Sequence, residues 1–396
     1  MVCRRGSRQT SGATQHGARH RRPSQQTDTV DRHTTRSNLK NKPSLEQLGF
    51  GNHFTDHMFI AEFESGKGWS EKGVVPYAPL ALDPAAAVFH YGQALFEGLK
   101  AYRGKRDPVV FFRPEFNADR MNEGARRLCL PEVPKELFLR GLAEVVARDQ
   151  DWLPQAPGAL YIRPTLIGSE PFLGVRPSKK ALFFVILSPV ASYYKEGLSP
   201  LRIWVEEEYT RAAPGGLGAT KAGANYASSL LAAERAKALG CAQVLWLDSR
   251  HHEDVEEVGT MNVFFKFKNE VVTPPLRGTI LGGGTREAVL HLLRDQKISV
   301  SERPLKLKEI LEAALSGDLE EMFGTGTAAV ISPVGSLLRK SGPIQIADGH
   351  IGPLSRQLYE RLTRMQYQDA EDPHGWVLTL DQLRQRSRAV AGPTKV

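Results

Sequence analysis

The chain has 396 residues, 41% of them hydrophobic and 24% charged, the make-up of a soluble globular protein long enough for two domains. Its longest apolar runs, such as ALFFVILSPVA, are far too short to span a bilayer, and three scattered cysteines (Cys3, Cys129, Cys241) with no Cys-x-x-Cys exclude a disulfide framework or a cysteine zinc site and suit a reducing compartment. The net charge of +8 has one source: residues 1–43 hold ten Lys/Arg against Asp28 and Asp31, and the rest of the chain balances 42 basic with 42 acidic residues, which argues against a general nucleic-acid-binding surface.

First in chain order is that basic tail, 1–43, rich in Ser, Thr, Gln, Arg and His and nearly devoid of apolar residues between Arg4 and Thr29. It cannot bury enough surface to order itself. It reads as a dispensable extension or an included upstream start. A transit peptide, although the stretch lacks an amphipathic face, and a polyanion-binding arm are the competing readings.

Beyond it, period-2 stretches alternate with amphipathic helices without an internal repeat. DHMFIAEFE reads as a strand, and ALFEGLKAYRG as a buried segment running into a strand and turn. PEFNADRMNEGARRLCL places Met121, Ala125 and Leu128 at helical spacing and stops at Pro131. KELFLRGLAEVVARDQ is a second helix with Leu142, Val145 and Val146 inward, followed by the strands GALYIRPTLIG and ALFFVILSPV. SYYKEGLSPL marks a domain boundary. After it come the helix SLLAAERAKALG closed by Gly240, the strand CAQVLWLD, the strand GTMNVFFKF, the helix REAVLHLLRD and the strand-like AAVISPVGSLL. The helix GPLSRQLYERLTRMQ carries Leu354, Leu358, Leu362 and Met365 on one stripe. This irregular order implies an α+β (mixed α/β) protein with a small domain over 44–191, a linker over 192–200, a large domain over 201–396 and a cleft between the domains, and it does not suit a doubly wound sheet.

Several stretches carry chemistry. Lys221 lies in ATKAGANYA with no carboxylate beside it; that stretch alone suits an exposed loop lysine, but removing water and anions is also how a lysine becomes nucleophilic. GTILGGGTREAVLHLL ends three glycines in Thr285 at a helix start, which serves equally as a flexible turn or an anion cradle and matches neither the P-loop nor the dinucleotide fingerprint. In EEVGTMNVFF, Glu256 and Glu257 precede an apolar strand, where a carboxylate needs a donor partner. The preceding His251 and His252 read as exposed rather than as metal ligands, and no metal site is expected. In LYIRP, Tyr161 and Arg163 share a strand face and suit a carboxylate-bearing ligand, or simple edge exposure. FGTGTAAV adds the hydroxyls of Thr325 and Thr327. A Schiff-base lysine, a carboxylate, a phosphate cradle and a carboxylate binder together describe a site for pyridoxal 5′-phosphate and an amino acid.

From FGNHFTDHMF to RLTRMQYQ the chain resembles the branched-chain amino-acid aminotransferases, pyridoxal 5′-phosphate enzymes of fold type IV. The likeness is carried by HYGQALFEGLKAYRG, FFRPEFNADRM, LYIRPTLIGSEPFLGV, TKAGANYA, QVLWLD, EEVGTMNVFF and GTGTAAVISPV. It implies that Lys221 binds the cofactor covalently and moves the proton, that Glu257 meets the pyridine nitrogen, and that Tyr226 meets O3′. Arg120, Gly284, Thr285 and Thr327 would hold the phosphate, with Arg211 nearby. Tyr91, Phe96, Tyr161, Arg163, Val175 and Tyr193, with Ala328 and Ala329, would form the substrate pocket. The resemblance further implies L-leucine, L-isoleucine or L-valine and 2-oxoglutarate as substrates, and a homodimer whose partner subunit completes the pocket, the Val175 loop included. Other fold type IV activities, on D-amino acids or aminodeoxychorismate, are the alternatives, and the apolar, aromatic pocket residues argue against them. One departure stands out. Mammalian relatives carry a redox-active Cys-x-x-Cys where this chain has Ala329 and Ser332, so thiol regulation at that place is not expected.

Overall fold

Two β-sheets, each covered by helices, form the body of the protein. The computed structural model describes residues 42–191 and 198–388; the tail up to residue 41, most of the expected linker and Tyr193 lie outside them. The first sheet is antiparallel throughout and runs Val377–Thr379, Val110–Phe112, Leu99–Tyr102, Ala159–Gly168, Lys180–Val190, His57–Glu64, Gly68–Pro76, with Ala94–Phe96 also paired to Ala159–Gly168. Its longest ladder pairs Ala159 through Gly168 with Val190 through Ala181, two runs rich in β-branched and aromatic residues that favour a pleated, half-covered surface. The helices Pro114–Arg127 and Lys135–Arg148 turn Met121, Ala125, Leu142, Val145 and Val146 into one core with Phe59, Phe138 and Phe183. One strand of this sheet, Val377–Thr379, is contributed by the C-terminal end of the chain.

The second sheet is mixed, in the order Val255–Val258, Gln243–Leu247, Leu201–Val205, Val330–Arg339, Leu319–Gly326, Asn262–Phe267, Val271–Thr273, Val300–Glu302, with parallel pairs at Leu201–Val205 and Val300–Glu302. Helices Gly284–Asp295 and Pro353–Gln366 pack Leu292, Leu358, Leu362 and Met365 against Phe264 and Phe323. Helix Leu307–Ser316 lays Ile310 on Ile203, Leu245 and Phe265. The result is the mixed α+β architecture that the irregular alternation implies.

Two details position the site. Glu256 and Glu257 precede the apolar strand Asn262–Phe267, as expected, and they themselves lie within a further short strand, Val255–Val258, where both are buried. The register to Gln243–Leu247 shifts between Val255 and Glu257, and such a bulge sets two residues against one, so successive carboxylates enter the sheet. The second detail joins the sheets. The segment before helix Gly223–Ala238 docks on strand Ala94–Phe96 through a Leu95–Ala222 bridge and a hydrogen bond from Phe96 N to Lys221 O at 3.2 Å.

Candidate active site

Lys221 stands two residues before helix Gly223–Ala238. Its small neighbours let the segment come close: Ala222 is fully buried in the first core. Lys221 Nζ donates to Tyr226 Oη at 2.8 Å and lies 4.8 Å from the Phe96 ring centre. Tyr226 lies in the first turn of that helix, and the extended residues just before the helix bring Lys221 back to it. Burial pulls the Lys221 amine down to about 8, helped by the Arg120 charge and opposed by Glu97. Its neutral fraction at neutral pH is therefore far above that of a solvated lysine. The exposed-loop reading of this stretch does not hold. Burial, reinforced by Glu257, pushes the Tyr226 phenol up to about 12, so it stays protonated and able to hydrogen-bond.

Glu257 lines the same cavity as Lys221 and Tyr226. Its carboxylate accepts from Leu281 N at 2.9 Å and lies 3.1 Å from Arg211 Nε. Burial pushes it up to about 7 against the opposing pull of Arg211 and the Leu281 amide. Arg211 also donates to Thr279 O, so its guanidinium is fixed from two sides. Asn262 Nδ2 donates to Leu281 O at 2.8 Å and holds the loop that supplies this amide.

Helix Gly284–Asp295 begins in the cavity wall, with Gly283 as its cap residue and Gly284 and Thr285 in its first turn. Its first amides have no partner within the helix and attract an anion. Arg120 lies beside it, on helix Pro114–Arg127. The guanidinium donates to Glu97 through Nε and Nη2, both at 2.7 Å, and to Gly282 O through Nη1 at 2.9 Å. Glu97 is fully buried, and Asn117 donates to it as well. Burial alone would push the Glu97 carboxyl up, but the Arg120 charge holds it below the usual range. The Thr327 hydroxyl donates to Gly98 O at 3.2 Å, and Thr325 Oγ1, buried in the cavity wall, has no protein partner.

The expected substrate residues divide into groups. Arg163 Nη2 donates to Tyr161 Oη at 3.0 Å and its guanidinium carbon lies 4.6 Å from the Phe96 ring centre, so Tyr161, Arg163 and Phe96 form one wall beside Lys221. Tyr91 and Val175 stand apart from it. Tyr91 donates to Leu173 O and is 42% exposed, and Val175 is 86% exposed, as Phe89, Phe172 and Leu173 are exposed too. Ala328 and Ala329 belong to the turn after Leu319–Gly326 and do not line the cavity that holds Lys221. Tyr193 is outside the described residues.

Residues 94–337 match the family model for amino-transferase class IV. The chain belongs to the class IV aminotransferases. It is 50% identical to branched-chain-amino-acid aminotransferase 2 of Bacillus subtilis over 341 residues, 86% of this chain and 94% of the relative. It is 45% identical to the branched-chain-amino-acid aminotransferase of Mycolicibacterium smegmatis over 343 residues, 85% of this chain and 93% of the relative. Among solved structures, it resembles the T.th. branched-chain amino acid aminotransferase with pyridoxamine 5′-phosphate (TM-score 0.68, 25% identity, covering 81% of this chain and 98% of that one). The Escherichia coli branched-chain enzyme matches at TM-score 0.67 and 26% identity over 82% of this chain and 99% of that one, which places this aminotransferase in fold type IV.

The family cofactor is pyridoxal 5′-phosphate, and the residues of this aminotransferase fit it. A lysine with a depressed pKa, a buried carboxylate and a helix N-terminus beside an arginine share one cavity, and the partnerless Thr325 hydroxyl lies in the same wall. Three residues escaped sequence reasoning. Glu97 and Lys100 sit in the quoted run ALFEGLKAYRG as charges in a segment read as buried, which is the signal that finds them. Phe50, whose ring centre is 4.9 Å from that of Tyr161, lies within a turn and leaves no periodic trace. Among the described residues, no three His, Cys, Asp or Glu side chains gather to hold a metal, and no helix is long and apolar enough to cross a membrane.

Proposed function

We propose that this aminotransferase transfers the amino group of L-leucine, L-isoleucine or L-valine to 2-oxoglutarate, and the reverse. The observation that carries the reading is the Lys221 amine, 2.8 Å from Tyr226 and lowered to about 8, in one cavity with Glu257 and a helix N-terminus. The names of the relatives supply the substrate class.

When bound, the cofactor supplies an electron sink that makes the substrate Cα–H bond acidic. The rest is the work of this chain. Lys221 would hold the cofactor covalently, and its amine, lowered to about 8, would be the group that takes the proton from the substrate Cα. Glu257, fixed by Arg211 and the Leu281 amide, would meet the ring nitrogen and stabilise its proton. Tyr226, kept protonated by burial, would hydrogen-bond O3′. Arg120, aimed by Glu97, holds the phosphate with the amides of Gly284 and Thr285 and the Thr327 hydroxyl. Phe96 and Tyr161 favour an apolar side chain, while Arg163, whose buried Nε has no protein partner, receives the distal carboxylate of glutamate. Ala328 and Ala329 have only their backbone to offer, and their amides read the substrate's own carboxylate. The exposed Tyr91 and Val175 complete the pocket of a second copy in a homodimer, which works in the cytoplasm. The two sheets support a division into 44–191 and 201–396, with strand Val377–Thr379 crossing back to the first.

Borohydride reduction of the loaded enzyme, followed by digestion, should leave the cofactor mass on the Lys221 peptide. Lys221→Ala should lower leucine–oxoglutarate transamination by at least about four orders of magnitude, since the lysine acts in both attachment and proton transfer. Full activity in that variant would remove the proposal.

A further inference from the structure

The turn 327–329 joins strands Leu319–Gly326 and Val330–Arg339. At its end Val330 has φ of 65°, a left-handed conformation that a β-branched side chain adopts only under constraint. The other non-glycine residues with positive φ among the described residues are Arg113, Cys129, His252, Lys297, Ala347 and Gln368, none of them β-branched. Ile331 N donates to Ala329 O at 2.9 Å and closes a three-residue turn around Val330.

Two bonds from a single stretch of the first sheet hold this turn. Thr327 Oγ1 donates to Gly98 O at 3.2 Å, and Lys100 Nζ donates to Ala328 O at 2.7 Å. Lys100 is buried, at 8% exposure, on strand Leu99–Tyr102. Among the described residues it makes no ion pair, and Ala328 O is its one hydrogen-bond partner. Burial pulls its amine down to about 8, which leaves it largely protonated at neutral pH. An apolar side chain would fill this space without the cost of burying a charge.

What the charge does follows from the planar peptide. In a trans peptide the carbonyl and the next N–H point in opposite directions, so fixing the Ala328 carbonyl fixes the direction of the Ala329 N–H. The ammonium also polarises that peptide and makes its N–H a stronger donor. Neither Ala328 nor Ala329 donates its amide to another described residue.

We propose that Lys100 is a positioning residue for substrate binding: its bond to the Ala328 carbonyl holds the strained 327–330 turn so that the Ala329 amide is aimed at the substrate carboxylate. The proposal rests on the reading of this turn as the carboxylate-binding element. Lys100 does not line the cavity that holds Lys221 and Glu257, and it acts through the turn.

The test uses the loaded enzyme and 4-methylpentanoate, the leucine skeleton without its amino group, which binds without reacting. Lys100→Met should weaken its binding by about tenfold, the scale of one charge-assisted hydrogen bond, while the visible absorption of the bound cofactor keeps its position. In the same variant the Ile331 amide should exchange hydrogen faster. Lys100→Arg keeps a cationic donor within reach of the carbonyl and should stay within about threefold of wild type. Should Lys100→Met fail to hold cofactor, Lys100→Arg decides alone: affinity near wild type supports the role, and a loss of about tenfold or more overturns it. Wild-type affinity in Lys100→Met overturns the role of Lys100 and leaves the transaminase reading standing. Failure of the wild-type enzyme to bind the acid or to transaminate leucine removes both.

Discussion

At the scale of single residues, the site is governed by charges that are buried and answered at a distance. Lys221 has no carboxylate beside it in sequence, and its hydrogen-bond partner is a phenol 2.8 Å away. Arg120 is answered by Glu97, which donates nothing to the cavity and instead fixes the direction of the guanidinium through two bonds of 2.7 Å. Removing one partner of such a pair leaves the other buried and uncompensated, at about 3–5 kcal/mol. Glu97→Gln keeps the shape and removes the charge. It should weaken cofactor binding by at least about tenfold, because Arg120 loses its orientation, and lower the melting temperature of the cofactor-free protein. Titrating the variant with pyridoxal phosphate, with fluorescence quenching as readout, checks the first expectation. Unchanged affinity would mean that Arg120 is aimed by Gly282 alone. The same variant should shift the Lys221 amine further down, because Glu97 is among the charges that hold it up.

At the scale of elements, one short stretch organises everything else. From 95 to 100 the chain bridges Ala222, bonds the Lys221 carbonyl, lays Phe96 against Tyr226, holds Arg120 through Glu97 and grips the 327–329 turn at Gly98 and Lys100. Gly98 is there because of a close approach: a Cβ at that position would run into the Tyr161 hydroxyl. Gly98→Ala should displace Tyr161 and its bond to Arg163, at about 1–3 kcal/mol of stability, the usual cost of overpacking. Steady-state kinetics should show a raised KM for both the amino acid and the oxo acid, with cofactor affinity held. Loss of cofactor with unchanged KM would contradict this. The stretch also shows what was legible in sequence. Its apolar alternation and that of LYIRPTLIG reveal strands, and the helix stripes reveal Met121, Val145 and Leu358 in the cores. Lys221, Glu257 and the Gly284 helix start stood out because each breaks a local rule. Glu97 and Lys100 break the same rule but lie among residues with a structural reading, and the bulge that turns both Glu256 and Glu257 inward is invisible without the register of its partner strand.

At the scale of the whole molecule, the sheets bring more positive than negative charge into one buried region: Lys100, Arg120, Arg163, Arg211 and Lys221 against Glu97, Glu256 and Glu257. A phosphate and a substrate carboxylate complement that imbalance, and without them it weighs on the fold. Burial lowers Lys221 and Lys100 from 10.5 to about 8, so between about pH 8 and 10.5 the unfolded chain binds more protons than the folded one. Stability contributed by these lysines therefore rises with pH through that window, and below about pH 8 their full penalty is present. Glu257 runs the other way: raised from 4.5 to about 7, it holds a proton in the folded chain that the unfolded chain has released, so its contribution falls as pH rises from 4.5 to 7. Together these groups place a minimum near neutral pH in the cofactor-free protein. Lys221→Met removes one of the two lysines, so at pH 7 the cofactor-free variant should be more stable than wild type by roughly 1–3 kcal/mol, narrowing toward equality near pH 10. Denaturant unfolding of both proteins at pH 7 and at pH 10 measures it. Equal stability at pH 7 would show that water or a counter-ion already answers the amine, and that the cavity is less positive than its residues make it.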